Sequence, residues 1–323
     1  MSFKQIIGHE AAIRLFQGQM AQNKVAHTYL LTGPEGIGKA ALALEFAKTL
    51  ECDSLTKQGD ACDACESCAK ISGGTYPDVL KVGTDGESGQ VKIDQVRALE
   101  GFMTLTPYSG RWKVGILDGV DQMTDEATHA CLKILEEPPD RSVFLLLAAV
   151  PTRLPPTVIS RCHQVRCAPQ GIERVCAYLR EKLGLEETAA RMSAIASGGR
   201  LGFALQICRS DRLSRKNGFL DLLLSAARRG ELELPAAKLS RDEIADGLEW
   251  YAGWWRDLLV LSLQGDADWV IHQDRMEELT KTASSLTPEI LLDRLERVYQ
   301  VQDAVRKNAS LKNALAVLLS RNA

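Results

Sequence analysis

A chain of 323 residues, 45% hydrophobic and 25% charged, has the make-up of an ordinary globular protein, with material for two or three domains of about 100 to 200 residues each. Its formal net charge of −3 supplies no overall basic field, so it does not by itself suggest nucleic acid as a direct ligand, and any basic patch must be local. The amino-terminal run Met1 to Gly8 lacks the apolar core of a secretory signal, and the longest wholly apolar run, Val143 to Val150, is far too short for a bilayer, so a cytoplasmic protein with no membrane partner is expected.

In chain order, Ile13, Phe16 and Met20 fall at helical spacing and predict an amphipathic helix. The apolar strand Thr28 to Thr32 then runs into Gly33-Pro34-Glu35-Gly36-Ile37-Gly38-Lys39 and a helix with Ala41, Leu44, Phe46, Ala47 and Leu50 on its apolar face. This reads as a phosphate-binding loop. Gly33, Gly36 and Gly38 let successive N–H groups turn inward around an anion at the start of the helix. Lys39 adds a charge for the outer phosphates, but the Ser or Thr that would bind magnesium is replaced by Ala40. ATP or ADP binding stays compatible with what remains of the loop.

Nine cysteines in a reducing compartment read as ligands and small core residues rather than disulfides. Four of them cluster: Cys52 ends the helix, and Cys62, Cys65 and Cys68 follow after the polar excursion Asp53 to Asp60. Two interlocking Cys-x-x-Cys steps plus one more distant cysteine can deliver four thiolates to a structural Zn²⁺. A redox pair needs two of these cysteines and leaves the others unused. Four protein ligands close the coordination sphere, so no hydrolytic role follows.

Thr75 to Val82 predicts a strand, Gly83 to Gln90 a polar glycine-rich loop and Ile93 to Phe102 a helix. Lys113 to Asp121 is an apolar strand ending in carboxylates, the place where a nucleotide-hydrolysing fold holds magnesium. Asp118 fills the metal position, but Gly119 stands where an ATPase carries the water-activating Glu. Asp121 lies too far beyond that slot to substitute simply, and reads either as a cap that opens the next helix or as a catalytic carboxylate. In that helix Ala127, Ala130, Cys131, Ile134 and Leu135 share one face, which makes Cys131 core, and Pro138-Pro139 stops it. Adjacent Glu136 and Glu137 point about 100° apart and read as a solvated helix end rather than an acid/base pair. Val143 to Ala149 predicts a fully buried parallel strand, followed by a run from Arg153 to Cys162 that presents Arg161 near its end.

The order of these pieces, glycine loop, four-cysteine insertion, Tyr76-Pro77-Asp78 strand, Ile116-Leu117-Asp118 strand, Leu132-Lys133-Ile134-Leu135-Glu136-Glu137-Pro138-Pro139 helix and Ile159-Ser160-Arg161-Cys162, resembles the bacterial clamp-loader AAA+ family. The resemblance is strong over residues 1 to about 205 and rests on helical character alone beyond. Within the family it is nearest the delta-prime type. The motor subunits, gamma and tau, carry the hydroxyl and the Asp-Glu pair that Ala40 and Gly119 replace. Their first sensor is a polar residue where this chain has Ala148-Ala149-Val150. Their second is an arginine aligned with Gly202, for which Arg200 is a poorly placed stand-in. The resemblance implies that Arg161 acts in trans, as an arginine finger on ATP held by a neighbouring gamma/tau subunit. It further implies a stator without hydrolysis of its own, in a heteropentamer with gamma/tau and delta that places the sliding clamp on primed DNA during replication by DNA polymerase III, a DNA-directed DNA polymerase. The alternative is an active clamp-loader ATPase subunit of gamma/tau type.

The implied fold is an α/β AAA+ P-loop module, a parallel sheet with flanking helices and a zinc-knuckle insertion, plus a helical lid and an all-α carboxy-terminal collar. The expected domains are 1–168 for the core with its cysteine module at 52–68, 169–209 for the lid and 210–323 for the collar. The basic stretch Arg209 to Asn217 is expected to link lid and collar. Trp250, Trp254 and Trp255, on an apolar helix with Leu258 and Leu261, are expected in a helical core or subunit interface rather than stacking on bases.

Overall fold

The computed structural model describes residues 2–84, 89–108, 110–209, 212–229, 240–306 and 309–319. Part of the expected polar loop, residues 85–88, and part of the expected linker, residues 210–211, lie outside them. By internal contacts the chain forms two compact units, Met1–Gln170 with Arg200–Gly202, and Gly171–Gly199 with Phe203–Ala323.

In the first unit the helices are α1 (Glu10–Ala21), α2 (Lys39–Glu51), α3 (Glu66–Ser72), α4 (Ile93–Met103), α5 (Asp125–Glu136) and α6 (Pro156–Ile159). The strands are β1 (Thr28–Thr32), β2 (Val79–Val82), β3 (Lys113–Asp118), β4 (Ser142–Ala148) and β5 (His163–Arg166). They pair in parallel in the order β2-β3-β4-β1-β5, the α/β AAA+ P-loop arrangement that the resemblance implied. Both faces of the sheet are covered, so β4 is buried along its whole length and reads as one apolar run without alternation. Tyr29, Leu31, Ile116 and Leu145 pack to one side with Phe16 of α1 and Phe46 of α2, whose rings stack 4.0 Å apart. Leu30, Leu117, Phe144 and Leu146 pack to the other with Val96 and Leu99 of α4 and Cys131 of α5. Cys131 is core, as its spacing requires.

Register decides where the site lies. Thr32 pairs with Ala148 and Asp118 with Leu147, so β1, β3 and β4 finish together, and their exit loops share the crevice at the carboxyl ends of the strands where α/β folds bind ligands.

Three local expectations are corrected. The strand from Thr75 shortens to β2, because Asp78 is buried and its carboxylate serves the loop before β3, accepting the amides of Tyr108 and Gly110 at 2.8 Å each. The edge strand β5 was not anticipated, since Val165 alone of its residues is buried and no alternation marks it. Thr124, not Asp121, caps α5: the Thr124 hydroxyl accepts the amide of Ala127 at 3.3 Å.

The second unit is helical: α7 (Ile172–Leu183), α8 (Glu187–Ala196), α9 (Leu201–Arg209, whose first two residues belong to the first unit), α10 (Arg212–Arg229), α11 (Arg241–Ser262), α12 (Met276–Ala283), α13 (Pro288–Arg306) and α14 (Leu311–Leu319). Residues expected to be linker are helix from Arg212 onward, and their charges are matched. Lys216 meets Asp274 at 2.5 Å, and Arg212 and Arg215 pair with Asp246 and Glu243. Trp254 is buried and packs edge-on to His272, while Trp250 is nearly so and Trp255 lies against the core edge-on to Tyr251. The tryptophans are core residues. No helix among the described residues is long and apolar enough to cross a membrane.

Candidate functional site

The exits of β1 and β3 enclose a pocket of about 520 Å³ lined by Glu35, Gly36, Gly38, Lys39, Ala40, Lys81, Asp118, Gly119 and Gly202. The glycine loop leaves β1 at Gly33, whose φ is 153°, and passes Gly36 at 71° and Gly38 at 104° before α2 begins. These are backbone states that side-chain-bearing residues avoid. A Cβ at Gly33 would also stand 2.2 Å from the Cys167 carbonyl oxygen. The loop is therefore folded tightly with its helix N-terminus at the pocket, the geometry that receives an anion.

Lys39 is buried, and its ammonium donates to the carbonyls of Gly33 at 2.5 Å and Pro34 at 3.0 Å. Burial lowers its pKa, an effect that the charge of Asp118 opposes. Asp118, half-exposed at the end of β3, lies 3.9 Å from the Lys81 ammonium on the neighbouring strand. Lys81 thus adds a second cation to the pocket, and sequence spacing gave no sign of it.

Close packing surrounds two of the positions expected to lack hydrolytic groups, Gly119 and Gly202. Gly119 has φ 81°, and a Cβ there would sit 2.7 Å from Thr84 Cγ2. A side chain at 119 is disfavoured by backbone conformation, and its Cβ would have to push Thr84 aside. Ala40, in the first turn of α2, is partly buried against the core and turns a methyl group rather than a hydroxyl to the pocket. Gly202 donates its amide to the Gly36 carbonyl at 2.7 Å, and a Cβ would stand 2.7 Å from that oxygen. Gly202 rather than Arg200 lines the pocket.

Asp121 does something that its sequence position did not suggest. It is buried, and its two carboxylate oxygens accept the amides of Ala149 at 3.0 Å and Val150 at 2.9 Å. It thereby fixes the backbone that leaves β4. A second residue missed in the sequence is His9, a buried residue just before α1 with φ 60°, whose Nε2–H donates to the Ile37 carbonyl in the glycine loop at 3.0 Å. A lone histidine ahead of a helix carries no signal of such a role.

Arg161 follows α6 on the surface. Its Nη1 donates to the Thr157 carbonyl and its Nη2 to Glu136 Oε1, each at 2.8 Å. Glu136 is a solvated helix end, as read, but it is also the arginine's partner. Glu137 follows as the last turn's cap.

The four cysteines come together at the end of α2, their sulfurs all within 4.8 Å of one another. Tetrahedral zinc with Zn–S of about 2.3 Å requires S···S near 3.8 Å, so the cluster fits a structural zinc site with little adjustment. Its amides are already arranged for thiolates: Cys62 donates to Cys52 Sγ at 3.3 Å, Cys65 to Cys62 Sγ at 3.3 Å and Cys68 to Cys65 Sγ at 3.4 Å. Amides of Ala64 and Cys65 lower the Cys62 thiol to about 7, whereas burial raises Cys52 and Cys68. A cation held by the four sulfurs would draw off their protons. The module is tied to α2 through Lys48, which is buried between Glu45 at 3.0 Å and Asp63.

Residues 8–171 match the family model for the DNA polymerase III delta subunit, and residues 210–318 match that for its carboxy-terminal part. The delta-prime subunit of DNA polymerase III from Pseudomonas aeruginosa is 38% identical over 174 residues, 54% of this chain and 53% of that protein. The delta-prime subunit of Bacillus subtilis is 24% identical over 318 residues, covering 95% of this chain and 94% of that one. The tau/gamma subunit of Haemophilus influenzae is 29% identical over 339 residues, covering 96% of this chain and 47% of that one. The match thus spans about half the length of the Pseudomonas and Haemophilus relatives. With the glycine loop, the four thiols and Arg161 all inside the segment matched by the first model, the chain belongs to the family of the DNA polymerase III delta subunit.

Proposed function

We propose that this chain is a clamp-loader subunit of delta-prime type, a stator that hydrolyses no ATP itself and works in a heteropentamer with gamma/tau and delta to place the sliding clamp on primed DNA. The single observation that carries this reading is Gly119: with φ 81° and with Thr84 Cγ2 2.7 Å from where a Cβ would stand, the position is ill suited to the water-activating carboxylate of a motor subunit. Ala40 without a metal-binding hydroxyl and Gly202 seated on the glycine loop point the same way. Lys39, Lys81 and the loop amides still make a place for the phosphates of ATP or ADP, with binding separated from chemistry. Arg161 is the group that this chain contributes to catalysis, as a planar guanidinium carried to the γ-phosphate of a neighbouring gamma/tau subunit. Cys52, Cys62, Cys65 and Cys68 hold one structural Zn²⁺. Residues 1–168, 169–209 and 210–323 serve as core, lid and ring-forming collar, in the cytoplasm.

The test is steady-state ATP hydrolysis by the purified chain, followed by mixing with the gamma/tau and delta subunits of its organism and sizing the product. No turnover and a mixed assembly are expected. Similarity to tau and tau/gamma subunits at 29–31% identity supports the second reading, an active ATPase subunit. Turnover at motor rates that is abolished by Lys39→Ala would establish that second reading instead.

A further inference from the structure

The cysteine module does more than close on itself. On the side of the first unit away from the glycine loop lies a groove of about 570 Å³, as roomy as the phosphate pocket. Its floor is apolar: Met20 and Val25 come from the end of α1 and the segment after it, Leu50 from α2, Leu55 from the excursion between the first two cysteines, and Trp112 from the segment entering β3. Leu50 is buried, Trp112 half-buried and Leu55 exposed. The rim carries Lys57 and Arg111, both exposed, and no carboxylate lines the groove. Neither cation forms an ion pair among the described residues. In a chain with 42 acidic against 39 basic residues, an acid-free groove with two unopposed cations is a local choice rather than a background.

Both walls are fixed before anything binds. On one side the Glu51 carboxylate, buried beneath the groove, accepts the amides of Arg111 at 3.1 Å and Trp112 at 2.7 Å and the hydroxyl of Tyr76 at 3.1 Å. On the other, residues 53–60 close on themselves: Thr56 donates its amide to the Asp60 carbonyl at 2.9 Å, and the amide of Asp60 returns to the Thr56 hydroxyl at 3.2 Å. Asp60, buried, also accepts the amide of Phe3 at 3.1 Å. Cys52 and Cys62 bracket this wall, so a metal on the four thiols would pin both its ends. A wall and a floor set in advance remove much of the ordering cost of binding.

We infer that this groove is a docking site for a peptide segment of another protein that carries carboxylates beside a bulky apolar side chain. The apolar side chain lies on Leu50, Leu55 and Trp112, and the carboxylates meet Lys57 and Arg111. Single-stranded nucleic acid fits less well, because it asks for a track of cations and exposed rings on which successive bases stack, whereas here one partly covered tryptophan sits among aliphatic side chains. The four-cysteine module, on this reading, is the clip that holds one wall of a recognition groove.

The test pans a random heptapeptide phage library against the full-length zinc-loaded protein, with the Lys57→Glu/Arg111→Glu double variant as the subtraction target. Recovered peptides are then measured by fluorescence anisotropy. The expected consensus places Asp or Glu within two positions of Leu, Ile, Phe or Trp, binds more weakly as salt rises, and loses at least tenfold in affinity on the double variant, whose circular dichroism stays that of wild type. Stripping the zinc with a chelator should weaken the same peptides severalfold with no change at the phosphate pocket. A consensus without acids, peptides indifferent to Lys57 and Arg111, the absence of any enriched peptide, or tighter binding of labelled oligo(dT) lost on the same double variant would each overturn the assignment.

Discussion

Arg161 is held in its own chain by Glu136, Nη2 to Oε1 at 2.8 Å, across 25 residues of sequence. Both side chains are partly open to solvent, at 35% and 54%, so the pair is worth at most about 1 kcal/mol and can exchange for a stronger anion. A guanidinium parked on a weak carboxylate partner is aimed without being locked. We predict that Arg161→Ala leaves the fold and the assembly with gamma/tau and delta intact but lowers the DNA- and clamp-stimulated ATPase of the neighbouring subunit. An arginine finger contributes about 10³ to 10⁵ in rate at its own site, and the overall loss is partial because other sites keep theirs. Lysine should rescue only in part, since a point charge lacks the planar fork. Clamp loading and ATPase at wild-type rates with Arg161→Ala would sink the trans role.

Restoring the missing carboxylate should not restore hydrolysis. Gly119 has φ 81°, and a Cβ there would meet Thr84 Cγ2 at 2.7 Å, so Gly119→Glu, alone or with Ala40→Thr, is expected to yield no ATPase and to destabilise by about 1–3 kcal/mol through backbone strain. Thermal unfolding and a coupled ATPase assay read both outcomes. A double variant that folds normally and turns over ATP would show that two substitutions alone separate this chain from a motor.

Purified without chelator, the protein should contain one zinc per chain by elemental analysis. Cys65→Ser should lose the metal and lower the unfolding temperature, because for an insertion this small the binding energy is largely folding energy. The loss should spread to α2, since Lys48 is buried against Asp63 of the module as well as Glu45 of the helix. A content well below one zinc, with unchanged stability of Cys65→Ser, would contradict the assignment.

Stability of the helical unit should fall in mild acid through His272. The imidazole is fully buried between Trp250 and Trp254, with Nδ1 2.8 Å from Asp257 Oδ2 and with Lys216 and Asp274 acting on it. Burial lowers its pKa below the ordinary 6.5, with Asp257 opposing. The unfolded chain therefore takes up this proton first as pH drops. Stability is lost from about pH 6.5 downward until the folded pKa is reached. Unfolding temperatures between pH 7.5 and 5.5 should decline in the wild type and decline less in His272→Gln. Parallel slopes for the two proteins would remove His272 from the account.

Much of this protein was legible as a string of residues. The strand, glycine loop and helix from Thr28 to Leu50, the buried run that became β4, the apolar face of α5 with Cys131 inside it and the four clustered cysteines are all written within windows of about ten to twenty residues, where periodicity and spacing act. What tertiary structure alone decided is which polar groups meet. Asp121 left its expected post as a helix cap to hold the amides of Ala149 and Val150, 28 and 29 residues away, and Glu51 reaches Trp112 across 61. Glu136 found Arg161, and His9 the glycine loop. The edge strand β5, with one buried residue, exists because β1 offers it a ladder of hydrogen bonds rather than because its own sequence asks to be extended. The physical reason is common to all of these. Apolar burial is non-directional and repeats with the backbone period, so it can be read locally. A buried carboxylate or imidazole must instead satisfy a specific donor or acceptor, and which one lies within 3 Å is fixed only when the sheet register and helix packing bring distant segments together.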